Sequence, residues 1–376
     1  MRRRKITIKD VAERAGLSLG TVSGVLNGTG SFAEDTRRKV IDTARRLNYA
    51  PNPRLTTASR SVGANGRPLT NIIAHVTHAT PSAATPFNLA PFTAVRELLL
   101  VRLAAEMGYY VLPTIYDEVK AFTCPPALNG QVDGALAGTP HPEVCAAIEN
   151  HVPLVLMDVP FTPETFHVPM VNFDIRHGMF EIARHLAALG HKRVGSLMIP
   201  HDDTRPVYIA PRCPILASAV ESAGMELVEG LSRARDLTVA TNDRVLDEFV
   251  GEALPLIRQG KVTALMMIDE LLAHDLVARL VKAGVRIPDE VSVTGFGSSP
   301  LLRWSAPAAP VLTTVEFPWL ELTKSALELL CDAIHGRNTR VGELLVRPMS
   351  APGGTTAAPA AKNAGRTSRS RRKAPR

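Results

Sequence analysis

Cysteine is scarce in this chain of 376 residues: there are four, Cys124, Cys145, Cys213 and Cys331, and no two form a C-x-x-C pair. Thiols this widely spaced argue against a disulfide framework or a zinc site and suit a reducing cytoplasm. Long apolar runs are missing as well. No stretch approaches the ~18 apolar residues that a membrane span needs, and the basic opening M-R-R-R-K leads into no apolar signal segment. The expectation is a cytoplasmic, nucleoid-associated protein with no membrane contact. Constellations that carry enzyme chemistry are also lacking: no nucleophile–base pair, paired carboxylates or metal cluster has a recognisable spacing. His78, His141, His201 and His274 show no metal-ligand intervals and read as surface or loop residues. No cofactor is expected. G-F-G at 295–297 lacks the third glycine and the later acidic residue of a dinucleotide loop.

What the chain has is an uneven distribution of charge. The net charge is +7, yet residues 1–60 alone carry 13 Lys+Arg against 5 Asp+Glu, and residues 351–376 carry 7 basic residues and no acid. The intervening body is therefore acidic. Basic ends on an acidic body are the footprint of a nucleic-acid-binding module joined to something else. With 45% hydrophobic residues, the body can bury a substantial core.

Periodicity divides the chain further. Three short helical runs, 8–15, 19–26 and 34–47, fall in residues 1–50. Residues 51–70, rich in Pro, Gly, Ser and Thr, read as a linker. From 71 to 350, apolar runs such as N-I-I-A-H-V, P-L-V-L-M-D and V-S-V-T-G-F alternate with amphipathic helices near 92–107, 175–189, 213–223, 243–258, 271–283 and 318–335. Such alternation predicts doubly wound parallel α/β sheets, and its length suits two lobes. Residues 351–376 read as a disordered basic tail.

The N-terminal runs have a specific grammar. Thr7 with Asp10 three residues on resembles a capping box. Gly16 can take the left-handed conformation that ends a helix, Leu17 plugs the corner, and Ser18 is placed to cap the next helix. Helix, glycine turn, helix is the helix-turn-helix, whose second helix enters the major groove of DNA. That second helix raises a question. Gly20 and Gly24 each cost ~1 kcal/mol against alanine in a helix, while Val22, Val25 and Leu26 supply an inward stripe.

T-I-K-D-V-A-E-R-A-G-L-S-x-x-T-V-S-x-V-L-N-G, T-R-R-K-V and L-N-Y-A-P-N together resemble the lactose- and galactose-repressor family of bacterial transcription regulators, densely over residues 6–52. The resemblance implies that Leu19, Gly20 and Gly24 face base edges. It also implies that Thr7, Ser18, Thr21, Ser23, Asn27, Thr36, Tyr49 and Asn52 hold phosphates or orient the module, contacts that position without carrying sequence information. The glycines would then let the backbone approach the duplex, and Leu19 would make only apolar contact, as with a thymine methyl. In the family a short hinge helix ends in a leucine that wedges into the minor groove. Ala58 occupies that place here, and Val62 is the apolar residue a shifted hinge would use.

The resemblance runs on more loosely from 71 to 348 and implies a periplasmic-binding-protein-like core of two lobes with a ligand cleft at the strand ends. By position Phe92, Thr93, Asp158, Asp174, Arg212, Asp269, Gly297 and Trp319 line that cleft. Asp174 serves equally as a helix cap, and Trp319 equally as a core residue. The family's acidic pair after V-S-V-T-G-F is replaced by Gly297 and Ser298, which points to a different, larger or anionic effector, or to none. The function expected is a homodimeric regulator of a near-palindromic operator, a repressor, modulated by a carbohydrate-like small molecule. The competing classes are a solute-binding protein and a cytoplasmic sugar enzyme on the same core.

Overall fold

The computed structural model describes residues 6–26, 30–47, 49, 62–64, 66, 68–78, 90–116, 130–138, 142–159, 163–199, 211–235, 241–297, 311–337 and 342–360, with backbone only at 78, 90–95 and 115–116. The chain divides into two units, Met1–Leu69 and Thr70–Arg376.

In the first unit the three expected helices form: α1 (Ile8–Ala15), α2 (Leu19–Leu26) and α3 (Glu34–Arg46). Asp10 holds the start of α1, its carboxylate accepting from the Thr7 N–H at 2.7 Å and the Thr7 hydroxyl at 2.6 Å. Gly16 ends that helix at φ 63°, ψ 38°, a left-handed turn that glycine adopts without a Cβ penalty. The Leu17 N–H then returns to the Ala12 carbonyl at 3.1 Å. Ser18 caps α2 by accepting from the Thr21 N–H at 3.1 Å. Val11, Ala12, Val22, Val25, Val40 and Ala44 make the core, with Leu17, Leu26, Phe32 and Tyr49 packed on it.

The second unit is built on two parallel sheets. The larger holds β1 (Ile72–His78), β2 (Tyr110–Tyr116), β3 (Gly134–Ala137), β4 (Leu154–Met157), β5 (Met170–Phe173) and β11 (Glu343–Val346), in the order β11-β5-β4-β3-β1-β2. The smaller holds β6 (Arg193–Gly195), β7 (Glu226–Leu227), β8 (Ala264–Met266) and β9 (Ser292–Thr294), in the order β7-β6-β8-β9. Every residue of β3, β4, β5, β8 and β9 is buried, as strands covered on both faces require. The helices are α4 (Ala90–Glu106), α5 (Pro142–Glu149), α6 (Ile175–Ala188), α7 (Arg212–Ser222), α8 (Asn242–Arg258), α9 (Glu270–Lys282) and α10 (Trp319–Ile334).

The chain passes between lobes three times. After β5 it enters the second lobe through α6. After β9 it returns through β10 (Thr314–Glu316) to α10, which packs on the first sheet where a Cβ at Gly134 would lie 2.9 Å from Leu330. After β11 it runs back through β12 (Met349–Ala351), antiparallel to β10. Sequence periodicity missed α5, a short helix with proline at its first position and Val144, Cys145 and Ile148 buried.

Packing begins at the end of the expected linker, in line with the division after Leu69, and runs past the expected start of the tail. Leu69 is already buried, and Thr70 and Asn71 donate their N–H groups to the two oxygens of Asp133 at 2.8 and 2.6 Å. Residues 351–360 are not a loose tail. Thr355 is fully buried, its hydroxyl donating to the Val293 carbonyl at 2.7 Å and accepting from the Thr313 N–H at 2.8 Å. His191, with a pKa lowered by burial, places Nε2 3.0 Å from the Ala357 carbonyl and 3.1 Å from Ser292 Oγ. Alanine, proline and threonine composition looked unstructured, but backbone and hydroxyl groups, rather than apolar side chains, fasten this strap. Residues 361–376 lie outside the described residues, as do Ala58, Asn27, Asn52 and Ser298.

Candidate functional site

In the first unit, α2 buries Val22 and Val25 and leaves the opposite side open. Leu19 is 44% exposed, Gly20 is exposed, and Thr21, Ser23 and Gly24 are half-buried. Ser18 Oγ and Thr21 Oγ1 lie 2.8 Å apart. One proton serves that contact, so one of the two hydroxyl protons is left to donate outward. Thr7 instead spends its proton on Asp10. Thr36 is half-buried on α3, and Tyr49 is packed against the module core, its N–H on the Ala44 carbonyl and its phenol pKa raised by burial.

Gly20 is not demanded by the fold. A Cβ there would meet only Ser18 Oγ, at 3.9 Å. Gly20→Ala is therefore expected to stabilise α2 by about 1 kcal/mol, read as roughly fivefold slower amide exchange along the helix. Unchanged or faster exchange would contradict the open-face reading.

Among the described residues, no lysine or arginine of the first unit takes part in an ion pair with the protein. In the second unit Arg96, Arg184, Arg235, Arg244 and Arg279 all do. Positive charge left without internal partners is positive charge available to an external polyanion.

In the second unit, four of the residues expected at the cleft, Asp158, Arg212, Asp269 and Trp319, come together where the two lobes meet. Asp158 follows β4 with φ 56°, a conformation uncommon outside glycine. It lies 3.9 Å from Arg96, one turn along α4 from Phe92 and Thr93; the side chains of those two are outside the described residues. Arg212, at the start of α7, donates to the Ile268 carbonyl at 2.9 Å and sits 3.5 Å from Asp269, both side chains 11% exposed. Asp269 also caps α9, accepting from the Leu271 N–H at 2.9 Å. Loss of water raises the pKa of Asp158 and of Asp269, while Arg212 opposes the rise at both and Arg96 at Asp158. Two arginines thus face two carboxylates in one partly desolvated seam.

Aromatic rings floor that seam. Phe173 stacks on Phe317 at 4.2 Å between centroids and meets Trp319 edge-on at 4.9 Å, and Phe296 meets Phe317 edge-on at 5.5 Å. The Arg212 guanidinium lies 5.3 and 5.4 Å from the Phe296 and Phe317 rings, and that of Arg96 5.8 Å from Trp319. Trp319 is 5% exposed, so here it is a wall member rather than an open platform. Asp174 caps α6, accepting from the His177 N–H at 2.9 Å.

Gly297 brings no side chain to the cleft. Its N–H goes to the Val315 carbonyl at 3.1 Å, its φ is 87°, and a Cβ would fall 2.9 Å from the Phe317 ring. Phenylalanine fills the space where the resemblance implies an acid. Sequence reading missed Arg96, Phe173, Phe296 and Phe317. The signal for Arg96 was helical spacing from Phe92 and Thr93, and for Phe173 adjacency to Asp174. Among the described residues no group of His, Cys, Asp and Glu could hold a metal ion, and no helix is long and apolar enough to cross a membrane.

A helix-turn-helix with an open recognition-helix face, followed by two parallel-sheet lobes that meet at a polar and aromatic seam, is an architecture suited to a DNA-binding transcription regulator. Comparison with known proteins agrees. Residues 7–52 match the bacterial regulatory proteins of the lacI family, and residues 183–356 match a periplasmic binding protein-like domain. The chain is 29% identical over 331 residues to the HTH-type transcriptional regulator DegA of Bacillus subtilis (strain 168), covering 85% of this chain and 88% of that one. Its fold is shared with a lac repressor dimer bound to operator and the anti-inducer ONPF (TM-score 0.64, 21% identity, 94% of this chain and 100% of that one). A transcriptional regulator CelR–cellobiose complex is similar too (TM-score 0.59, 24% identity, 93% and 100%). Along most of its length the chain is thus similar to bacterial transcription regulators, with the lacI-family match confined to its N-terminal unit.

Proposed function

We propose that this cytoplasmic regulator is a repressor that binds a near-palindromic operator as a homodimer, and that a small neutral carbohydrate or polyol between the lobes sets its affinity for DNA. The observation that carries the ligand reading is the charge balance of the seam, Arg96 and Arg212 against Asp158 and Asp269. An anionic ligand would leave an uncompensated charge where desolvation already disfavours the buried Asp269 carboxylate. Hydroxyl groups can donate to the acids and accept from the arginines without altering the balance, while the aromatic rings take the C–H face. A neutral sugar is thus favoured over the anionic one that the missing acid at Gly297 first suggested. CelR, similar in fold, is known in complex with cellobiose.

On DNA, Leu19, Gly20 and Gly24 meet base edges, and the outward proton of the Ser18–Thr21 pair goes to a phosphate. The division of labour is a headpiece at 1–50, a linker at 51–70 and a sensor core beyond. Dimerisation is supported by an apolar face on α4 and β2, where Leu98, Val101 and Tyr110 are 71%, 44% and 66% exposed. Selection of bound duplexes from a random pool tests the reading. The expected product is an inverted repeat with half-sites one helical turn or a multiple apart; enrichment of no site, or of a single asymmetric half-site, would overturn it.

A further inference from the structure

We infer that Asp133 is a positioning residue for operator recognition: it clamps the chain where the linker enters the sensor core, and so fixes the half-site spacing that the two headpieces of a dimer accept. The inference rests on the operator reading above and adds the residue that sets the operator's geometry. Asp133 stands immediately before β3, and its N–H donates to the Ile72 carbonyl at 2.7 Å. That bond extends the ladder between β1 and β3 and places the carboxylate beside the residues that precede β1. Its Oδ1 accepts from the Thr70 N–H at 2.8 Å and from the Thr70 hydroxyl at 2.9 Å, and its Oδ2 accepts from the Asn71 N–H at 2.6 Å. Hydrogen bonds to an ionised carboxylate are the stronger class. On the other side of β1, the Tyr110 N–H of β2 donates to the Asn71 carbonyl at 2.8 Å. Asn71 is thereby held at φ 58°, a left-handed conformation that a residue with a side chain keeps where its surroundings over-determine it.

The sheet does not need these bonds. Thr70 and Asn71 precede β1, and the Asn71 N–H lies at the surface, where water would satisfy it. What the carboxylate fixes is direction. Leu69 is buried, but apolar burial is non-directional, whereas two successive N–H groups on the two oxygens of one carboxylate orient the backbone. Chain length is taken up just upstream as well. Val62 bridges antiparallel to Pro68, and the Gly66 N–H returns to the Gly63 carbonyl at 2.9 Å with Gly66 at φ 74°. Six residue steps that would span about 20 Å when extended are thus reduced to one strand spacing of about 5 Å. Between this fold-back and Tyr49 the sequence has only the twelve residues 50–61. A short tether with a fixed root reaches a narrow range of half-site separations. Each residue released adds ~3.3–3.6 Å of reach, against ~3.4 Å per base pair. Two residues freed in each protomer therefore widen the accepted spacing by about four base pairs, and each base pair also turns a half-site by about 35°. A clamped chain cannot follow such a change; an unclamped one can.

The test varies the spacer. The full-length chain and its Asp133→Ala and Asp133→Asn variants are titrated by anisotropy against duplexes carrying the selected half-site as an inverted repeat, with the spacer changed by up to about three base pairs either way. A single half-site is titrated beside them. Wild type should lose at least about tenfold in affinity when the spacer changes by two base pairs. Asp133→Ala should lose less than about threefold over the same change, bind the optimal repeat several-fold more weakly, and match wild type on the single half-site. Asp133→Asn keeps one acceptor oxygen for three donors and should fall between. A spacer profile parallel to wild type in both variants overturns the inference. So does an equal loss on every duplex, the single half-site included, which would make Asp133 a residue of general stability alone. If the thermal melt shows that Asp133→Ala does not fold, Asp133→Asn decides by the same two criteria. Indifference of the wild-type chain itself to the spacer overturns the operator reading, and this inference with it.

Discussion

Replacing Arg212 with methionine is expected to destabilise the core by about 3–5 kcal/mol at neutral pH, the cost of leaving a buried carboxylate without its partner. Methionine keeps the apolar contact with Phe296 and Phe317, so the loss isolates the charge. Asp269 would then stand in the seam with only its helix-cap bonds to Leu271 and Leu272. Its pKa, already raised, loses the opposition that Arg212 provides and climbs further. The sign follows. A carboxyl whose folded pKa lies above its unfolded value favours the folded state once protonated, so the variant regains stability relative to wild type as pH falls through that raised pKa toward 3.8. Adding Asp269→Asn should recover most of the loss even at pH 7, because asparagine caps a helix as well as aspartate does. Urea unfolding of the four chains as a double-mutant cycle measures the coupling. A loss under 1 kcal/mol, or no rescue by Asp269→Asn, would mean that Arg212 and Asp269 are neighbours without being partners.

The second large effect runs against an appealing repair. Gly297→Asp would restore an acid where the family resemblance implies one, yet it should cost about 2–5 kcal/mol and create no ligand contact. A side chain at φ 87° is strained by roughly 1–2 kcal/mol, and its Cβ would fall 2.9 Å from the Phe317 ring, an overlap worth about 1–3 kcal/mol more. Phe317 cannot simply withdraw, since Phe173 stacks on it and the Arg212 guanidinium lies over it. Phe317→Ala in the same chain should therefore relieve part of the overlap while opening a cavity of its own. If Gly297→Asp melts within 1 °C of wild type, the ring is mobile and the aromatic floor is not a fixed wall.

These two positions show what can be read from the residues and what cannot. Helices follow local rules, and α1 to α3 could be placed by Thr7, Gly16, Ser18 and one apolar stripe. The strand β4 announced itself as a continuous apolar run, P-L-V-L-M-D, because both faces are covered. Asp174 left cap and ligand open, and its bond to the His177 N–H shows the cap. The site was legible where residues sit at strand ends or helix starts, as Asp158, Arg212 and Asp269 do. It was not legible where contact is made across the seam. Phe173 and Phe317 are 144 positions apart and face each other only because β10 carries the chain back between lobes. The missing acid after V-S-V-T-G-F reads as a gap in sequence, although in space a ring fills it. Low-complexity composition misled at 351–360 for a related reason. Hydroxyl and carbonyl groups fasten that strap, and they leave no trace in apolar periodicity.

The most direct test couples the two ends of the molecule. Anisotropy of a selected operator duplex, measured with and without a panel of neutral sugars and their phosphate esters, should reveal at least one neutral sugar that changes operator affinity by about 5–150-fold, a coupling of ~1–3 kcal/mol. The Arg212→Met/Asp269→Asn chain should bind the same operator and fail to respond. Operator affinity indifferent to every neutral sugar but shifted by a phosphate ester, or a full response in the double variant, would contradict the account.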